Sequence, residues 1–244
     1  MKMFVTDYDD TLYTSDEQIL INIQKLKEVR EKNFIIVIAT GRSYSSIKRQ
    51  VVERKIPVDY LVCADGSIIY NNKGEVIKDY PINKDIIEPF KEFYCNLDYD
   101  EIQFSYKDGY ANRLEENEDI LGINVCISTR LYNKQMEKEF YKLKKKYKNY
   151  KYLAYTHPNY SYLCVKPKDV TKSYAIDYLR KILNLKKSDL YLIGDSSNDI
   201  EMLKDFKGVG MKNSCQEVLK VVKKTYREVS DYLDEIMKDY EDVI

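Results

Sequence analysis

The sequence predicts an α/β fold, a doubly wound parallel sheet with an inserted α+β unit. Three observations carry that expectation. Strand-like and helix-like segments alternate from the first residues, and the strands read as nearly continuous apolar runs, as in a parallel sheet covered on both faces. After a middle stretch of different character, the first pattern resumes. The expected units are residues 1–81 with 163–244, and 82–162.

Met3 to Asp7 reads as a buried strand. Ser15 with Gln18 forms a capping-box signature ahead of Ile19, Ile23, Leu26 and Val29 at helical spacing. FIIVIAT (34–40) is a second buried strand, SYSSIKRQVVERK (43–55) a helical segment, and DYLVCADG (59–66) a third strand. SIIYNN and EVIKDY flank Lys73-Gly74 as a hairpin. In the middle, amphipathic helices at 83–97 and 133–147 alternate with shorter, tyrosine-rich strands: IQFSY, YANRL, INVCIST and YSYLCV. Then come a helix at VTKSYAIDYLRKIL (170–183), a buried strand LYLIGD (190–195), a helix SNDIEMLKD (197–205), a short strand GVGM (208–211), and helices to the end.

Composition narrows the functional classes. Forty basic and forty acidic residues cancel, so no overall field draws the chain to nucleic acid or to an anionic membrane. The longest aliphatic run, FIIVIA, is far short of the roughly 20 residues that span a bilayer, and no signal peptide opens the chain. A cytoplasmic protein is expected. The basic run 142–151 continues a segment with Met136, Phe140, Leu143 and Tyr147 at helical spacing, which predicts a solvated helix face. Five scattered cysteines (Cys63, Cys95, Cys126, Cys164, Cys215) lack any CxxC pair and predict buried, reduced thiols. His157, the single histidine, lies in THPNY, where a turn accounts for it. The absence of GxxxxGK[ST] sets aside P-loop nucleotide hydrolysis.

The chemistry collects where three apolar strands stop: at Asp7 and Asp9, at Thr40, and at Asp195. Ligands of open parallel sheets bind outside the carboxyl ends of the strands, so these endings are expected to face one crevice. Aspartates in such places also serve as turn residues and helix caps, as do Ser196, Ser197 and Asn198. Gathered in one crevice they need a cation, because two unit charges 4 Å apart repel by roughly 4 kcal/mol at an effective dielectric of 20. Oxygen donors without a His or Cys cluster favour a hard ion, Mg²⁺ first. Such an ion suits a phosphorylated substrate. Lys172, at the start of a helix that returns to the sheet, is the candidate fixed positive charge.

Four ordered segments resemble the motifs of the haloacid dehalogenase superfamily, and of its Cof-like phosphatase branch in particular. They are Asp7-Tyr-Asp9-Asp-Thr11, Ala39-Thr40-Gly41-Arg42, Lys172 in PKDVTKS, and Gly194-Asp195-Ser-Ser-Asn198-Asp199, with GVGMKNS at 208–214 in further agreement. The resemblance implies a core of that superfamily with an inserted cap that sets specificity. It implies Asp7 as nucleophile of an aspartyl-phosphate intermediate and Asp9 as general acid and base. It implies Thr40, Gly41, Lys172 and Asn198 around the phosphate. Mg²⁺ would be held by Asp7, the Asp9 backbone carbonyl and Asp195, with Asp199 and Thr11 in support.

This sequence departs from the family pattern at Asp10, where most relatives have Gly; at Asp65, in place of an Asn; and at Ser173, in place of a Gly after the lysine. Asp10 is expected to take the unusual backbone angle, and Asp65 to alter contacts to the cap or substrate. Arg42 is expected in a salt bridge at the start of the next helix, and Gly41 in a turn. Tyr106, Arg113 and His157 are candidate cap contacts. The expected activity is hydrolysis of a small phosphorylated metabolite, such as a sugar phosphate or nucleotide-like compound. Alternatives are a phosphomutase of the same superfamily and a non-enzymatic phospho-acceptor switch.

Overall fold

The structure is a computed structural model and describes residues 1–94, 101–113, 119–128, 134–156 and 160–241. In chain order it runs β1 (Lys2–Thr6), α1 (Asp16–Glu31), β2 (Phe34–Ala39), α2 (Tyr44–Arg54), β3 (Tyr60–Cys63), β4 (Ile68–Asn71) and β5 (Val76–Asp79). Next come α3 (Ile87–Tyr94), β6 (Glu101–Ser105), β7 (Tyr110–Ala111), β8 (Gly122–Ser128), α4 (Lys134–Lys146), β9 (Tyr150–Thr156) and β10 (Tyr160–Pro167). The chain then continues through α5 (Lys172–Ile182), β11 (Leu190–Gly194), α6 (Ile200–Asp205), β12 (Val209–Met211), α7 (Gln216–Leu219), β13 (Thr225–Tyr226) and α8 (Val229–Glu241).

The elements form two units, one of Met1–Arg42, Ser46–Lys78 and Thr171–Ile244, the other of Ser43–Ser45 and Asp79–Val170. The first unit holds the eight-stranded sheet, ordered β13-β12-β11-β1-β2-β3-β4-β5. Its pairs from β13 to β3 are parallel, and β4 turns antiparallel against β3.

Successive strand residues point to opposite faces, and both faces are covered. Met3, Val5, Val37, Ala39 and Val62 pack in one core with Ala175, Ile176 and Leu179 of α5 and Met202 and Leu203 of α6. The alternate residues Phe4, Ile36 and Ile38 are also buried, with the Phe4 ring against Tyr232 of α8. The strands have no polar face to show, which is why they read as unbroken apolar runs.

Several local expectations change. Ser15 caps α1 by accepting from the Gln18 N–H at 3.0 Å, but the Gln18 side chain does not complete a capping box. It donates instead to Asn22 and Ser230, because a long-range tie to α8 is open to it. Asn22 is fully buried; it donates to the Leu12 carbonyl at 2.9 Å and accepts from the Ser230 N–H at 3.0 Å. The carboxyl-terminal stretch is not all helix, since Thr225–Tyr226 adds the edge strand β13.

The second unit has its own antiparallel sheet, β7-β6-β8-β10-β9. Strand β10 pairs with β8 from Tyr160 to Val165 and with β9 through Pro167. A boundary drawn at 162 therefore cuts a strand that backbone hydrogen bonds hold in one piece. YANRL shortens to the two-residue β7, and the helix expected at 83–97 begins as a 3-10 turn, Lys84–Ile86. Residues 95–97 of that helix and His157 lie outside the described residues.

Met136 and Phe140 of α4 enter the core of this unit, with Leu143 and Tyr147 packed beside them, and the lysines line the opposite face. Cys63 and Cys164 are buried free thiols and Cys215 is a half-buried one. Cys95 and the Cys126 side chain lie outside what the structure describes.

Asn22→Ala is expected to lower the stability of the first unit by about 2 kcal/mol, because it removes several buried hydrogen bonds and strands their partners. Urea denaturation followed by circular dichroism measures the loss.

Candidate active site

Strands β11, β1, β2 and β3 lie side by side and parallel, so their carboxyl ends share one edge of the sheet. Asp7 is the first residue past β1 and is still held by the sheet, its N–H donating to the Ile193 carbonyl at 3.1 Å. Thr40 follows β2 and donates its N–H to the Val62 carbonyl at 2.8 Å. Asp195 follows β11. Lys172 opens α5, whose N-cap Thr171 accepts from the Tyr174 N–H.

The Lys172 ammonium joins these pieces. Nζ lies 2.8 Å from Asp7 Oδ1 and 2.8 Å from Asp199 Oδ1, with Lys172 and Asp199 wholly buried and Asp7 only 5% exposed. Asp199 is fixed in turn, since its Oδ2 accepts the N–H groups of Asp195 and Ser196, each at 3.1 Å. Thr11 donates its hydroxyl to Asp195 Oδ1 at 2.6 Å.

Burial opposes the charge on Lys172, but Asp7, Asp199 and Asp65 outweigh it and raise its pKa. Burial also drives the Asp7 carboxyl well above the usual range; Lys172 opposes that shift, and Asp199 and Asp195 add to it. Asp195 rises to about 6 through burial, against the Thr11 hydroxyl and with the help of Asp199 and Asp10.

Single carboxylate oxygens of Asp7, Asp195 and Asp199 lie within 4.8 Å of one another. All three donors are hard oxygens, and Asp7 and Asp195 are raised first by burial and then by the neighbouring carboxylates. The set fits a divalent cation. Asp199 is already committed to Lys172 and two backbone N–H groups, which leaves Asp7 and Asp195 as the side chains able to ligate one.

The Asp9 carboxylate is not in this group. It is gripped on both oxygens by Arg42, Nε to Oδ2 at 2.8 Å and Nη2 to Oδ1 at 2.6 Å. The salt bridge expected of Arg42 thus runs back to Asp9. Beneath Arg42 lies the Tyr8 ring, 5.0 Å from the guanidinium; Tyr8 donates to Gln50 and stacks on Tyr13. The sequence announced a salt bridge for Arg42 but neither its partner Asp9 nor the Tyr8 support.

Thr40 is buried, and its Oγ accepts the Arg42 N–H at 3.1 Å. Gly41 lies in the bend between β2 and α2 and does not take a positive φ. A Cβ on it would lie 2.9 Å from an Asp65 carboxylate oxygen, so a larger residue there would have to displace that side chain. Asn198 is held on both sides, donating to Asp65 at 2.9 Å and accepting from Ser196 at 2.5 Å.

Asp10 has φ 55°, the left-handed angle that suits Gly, Asn or Asp. Ser173 donates to Asp205 at 2.6 Å, tying α5 to the end of α6. Tyr106, a candidate substrate contact, instead packs in the core of the second unit and donates to the Arg113 carbonyl.

A lysine shared by two buried aspartates at the carboxyl edge of a parallel sheet, with a third carboxylate beside them, forms a charged cluster that could hold a metal ion. Residues 4–122 and 96–232 match the haloacid dehalogenase-like hydrolases, and the chain belongs to that family. The 5-amino-6-(5-phospho-D-ribitylamino)uracil phosphatase of Bacillus subtilis is 23% identical over 240 residues, which cover 96% of this chain and 89% of the relative. The HMP-PP phosphatase of Serratia proteamaculans is 23% identical over 237 residues, 87% of this chain and 84% of its own. Among solved structures, a phosphatase of the haloalkanoate (HAD) superfamily from Bacteroides thetaiotaomicron has the same fold, with TM-score 0.78, 21% identity, and 98% and 94% of the two chains covered. Among the described residues, no helix is long and apolar enough to cross a membrane.

A carboxyl whose folded-state pKa is raised contributes stability below its unfolded value, near 3.8, and loses it as pH rises through the folded value. With divalent cations chelated, Asp195→Asn is therefore expected to be more stable than the parent at pH 7.5, on the order of 2 kcal/mol. The difference is expected to shrink as pH falls below about 6, the raised value of Asp195. Chemical denaturation of both proteins at several pH values checks the sign, and added Mg²⁺ is expected to stabilise only the parent.

Proposed function

We propose that this protein is a Mg²⁺-dependent phosphatase of small phosphorylated metabolites that works through an aspartyl-phosphate. The observation that carries this reading is Lys172 Nζ, held at 2.8 Å from both Asp7 and Asp199 in full burial. A carboxylate poised beside a fixed ammonium and a cation site is suited to receive a phosphoryl group, a reaction governed by positioning and charge.

In this reading Asp7 attacks phosphorus with one carboxylate oxygen while the bond to the leaving oxygen breaks. Asp9, once protonated on an oxygen that has let go of Arg42, gives the leaving oxygen its proton. Water then attacks the phosphorus of the acyl phosphate as Asp9 takes up a proton, and the P–O bond to Asp7 breaks to release inorganic phosphate. Lys172 holds the Asp7 carboxylate in place through Oδ1 and neutralises charge that gathers on the transferring group. Arg42 fixes the Asp9 carboxylate, and Thr40 and Asn198 stand near enough to the same edge to orient phosphate oxygens. Mg²⁺, ligated by Asp7, Asp195 and the Asp9 carbonyl, would supply the remaining positive charge.

The substrate is a small phosphorylated compound, on the model of relatives whose names give a ribitylaminouracil phosphate and HMP-PP. A sugar phosphate or nucleotide-like compound fits that class.

The purified protein is expected to release phosphate from p-nitrophenyl phosphate only when Mg²⁺ is added. Asp7→Asn is expected to lower kcat at least about a thousandfold with the melting temperature retained, and full activity in that variant would rule out Asp7 as nucleophile. Asp9→Asn is expected to lower kcat by about 10²- to 10⁴-fold, the usual range for losing a general acid and base. Mg²⁺ affinity should stay near the parent's in that variant, because its carboxylate faces Arg42 and lies outside the metal group.

A further inference from the structure

Ser46, Gln50 and Arg54 recur every fourth residue along α2, in one row on one side of the helix, and Arg42 stands four residues ahead of them. The row is bonded within itself. Arg42 Nη1 donates to Ser46 Oγ at 3.3 Å, and Arg54 Nε donates to Gln50 Oε1 at 3.2 Å. Of these four, the proposed chemistry uses only Arg42.

The row meets the loop that carries Asp9. That loop is closed at its ends: the Tyr13 N–H donates to the Tyr8 carbonyl at 2.8 Å, and the two rings stack with centroids 5.9 Å apart. Each guanidinium lies over one of the rings, Arg42 over Tyr8 at 5.0 Å and Arg54 over Tyr13 at 4.9 Å. Tyr8 is only 1% exposed, so its hydroxyl calls for a partner inside the protein, and it donates to Gln50 Oε1 at 3.1 Å. One oxygen of Gln50 thus takes a donor from the loop and a donor from its own helix. Arg54 is anchored further by Asp16 at the start of α1, at 2.9 Å.

Asp9 depends on this support. Its side chain is 47% exposed, and both of its oxygens accept from Arg42. A half-exposed carboxylate has rotamers to choose from, whereas a proton donor works only when it is held within hydrogen-bond reach of the leaving oxygen. Arg42 makes that choice for Asp9, and the ring beneath Arg42 limits where the guanidinium can lie.

We propose that Gln50 is a positioning residue for proton transfer: by holding the Tyr8 ring under Arg42, it fixes the carboxylate of Asp9 at the reacting edge. The inference rests on the phosphatase reading of the site and adds to it a residue of α2 with no part in the bond-making steps. When one Asp9 oxygen leaves Arg42 to carry the proton, the other stays on the guanidinium, and the row keeps both in register with the loop.

The test uses the full-length protein beside Gln50→Leu, which removes the acceptor, Gln50→Glu, which keeps one, and Tyr8→Phe, which removes the same bond from its other end. Ethyl phosphate needs a proton on its leaving oxygen, whereas p-nitrophenolate departs without one, so the ratio of their kcat/KM values reports the general acid. In Gln50→Leu and in Tyr8→Phe that ratio, ethyl over p-nitrophenyl, is expected to fall about threefold or more, with the inhibition constant of inorganic phosphate unchanged. The double variant is expected to match the single ones, since the same bond is lost in all three, and Gln50→Glu to match the parent. The Arg42 Nε–H resonance, assigned by its absence in Arg42→Lys, is expected to lose heteronuclear NOE in Gln50→Leu and to keep it in Gln50→Glu. A loss shared equally by both esters reports damage to the fold and overturns the proposal. So does a smaller fall in the ratio, or a rise, which would make Arg42 a restraint on Asp9. An Arg42 side chain as rigid in Gln50→Leu as in the parent overturns it even where both esters are hydrolysed. Should the parent release phosphate from neither ester, the phosphatase reading falls, and the role in proton transfer with it.

Discussion

The buried ammonium of Lys172 is the constraint on which the first unit depends. An unpaired charge in that position would cost several kcal/mol of lost hydration, and the cost is met only because Asp7 and Asp199 both lie at hydrogen-bond distance. That arrangement requires three distant parts of the chain to meet: the residue after β1, the first residue of α5, and the turn after β11. The sheet order delivers it, since β1 sits directly beside β11 and both run in the same direction. The same carboxylates that hold the lysine create the surplus of negative charge that calls for a cation. In the proposed reading stability and chemistry draw on overlapping side chains, and burial, with Asp199 beside them, raises the pKa of both Asp7 and Asp195.

The central sheet was largely legible in the sequence, for a physical reason. Parallel strands covered on both faces have no solvent side, so β1, β2 and β11 appear as apolar runs, and the polar residue that ends each run marks the functional edge. What depended on long-range partners was hidden. Asp199 does cap locally, accepting the N–H groups of Asp195 and Ser196, and only its bond to the distant Lys172 had no local sign. The grip of Arg42 on Asp9, the Gln18 bond that bypasses its own helix cap, and the clamp of Asp65 on Asn198 all join residues tens of positions apart or more. Gly41 shows the same limit: its bend is local, whereas the Asp65 carboxylate beside it comes from another loop.

The second unit was harder to read because its strands are antiparallel and its interior is aromatic. Phe90, Phe104, Phe140, Tyr150 and Tyr152 share a core with aliphatic residues of β6, β8 and β10. Tyrosines in such a core resemble surface residues in sequence, and their hydroxyls find local acceptors, as Tyr150 does at the Asn83 carbonyl and Tyr152 at the Tyr147 carbonyl. Hydrogen-bond pairing through Pro167, which no sequence pattern announced, fixes where this unit ends.

The place of β1 in the sheet has a consequence for how the protein is made. One neighbour of β1, the strand β2, emerges soon after it; the other, β11, begins at Leu190. On the ribosome, the strand that leads to Asp7 keeps one edge without its partner until the chain has been translated past Leu190. The lysine and its two carboxylates can meet only once Asp199 has followed.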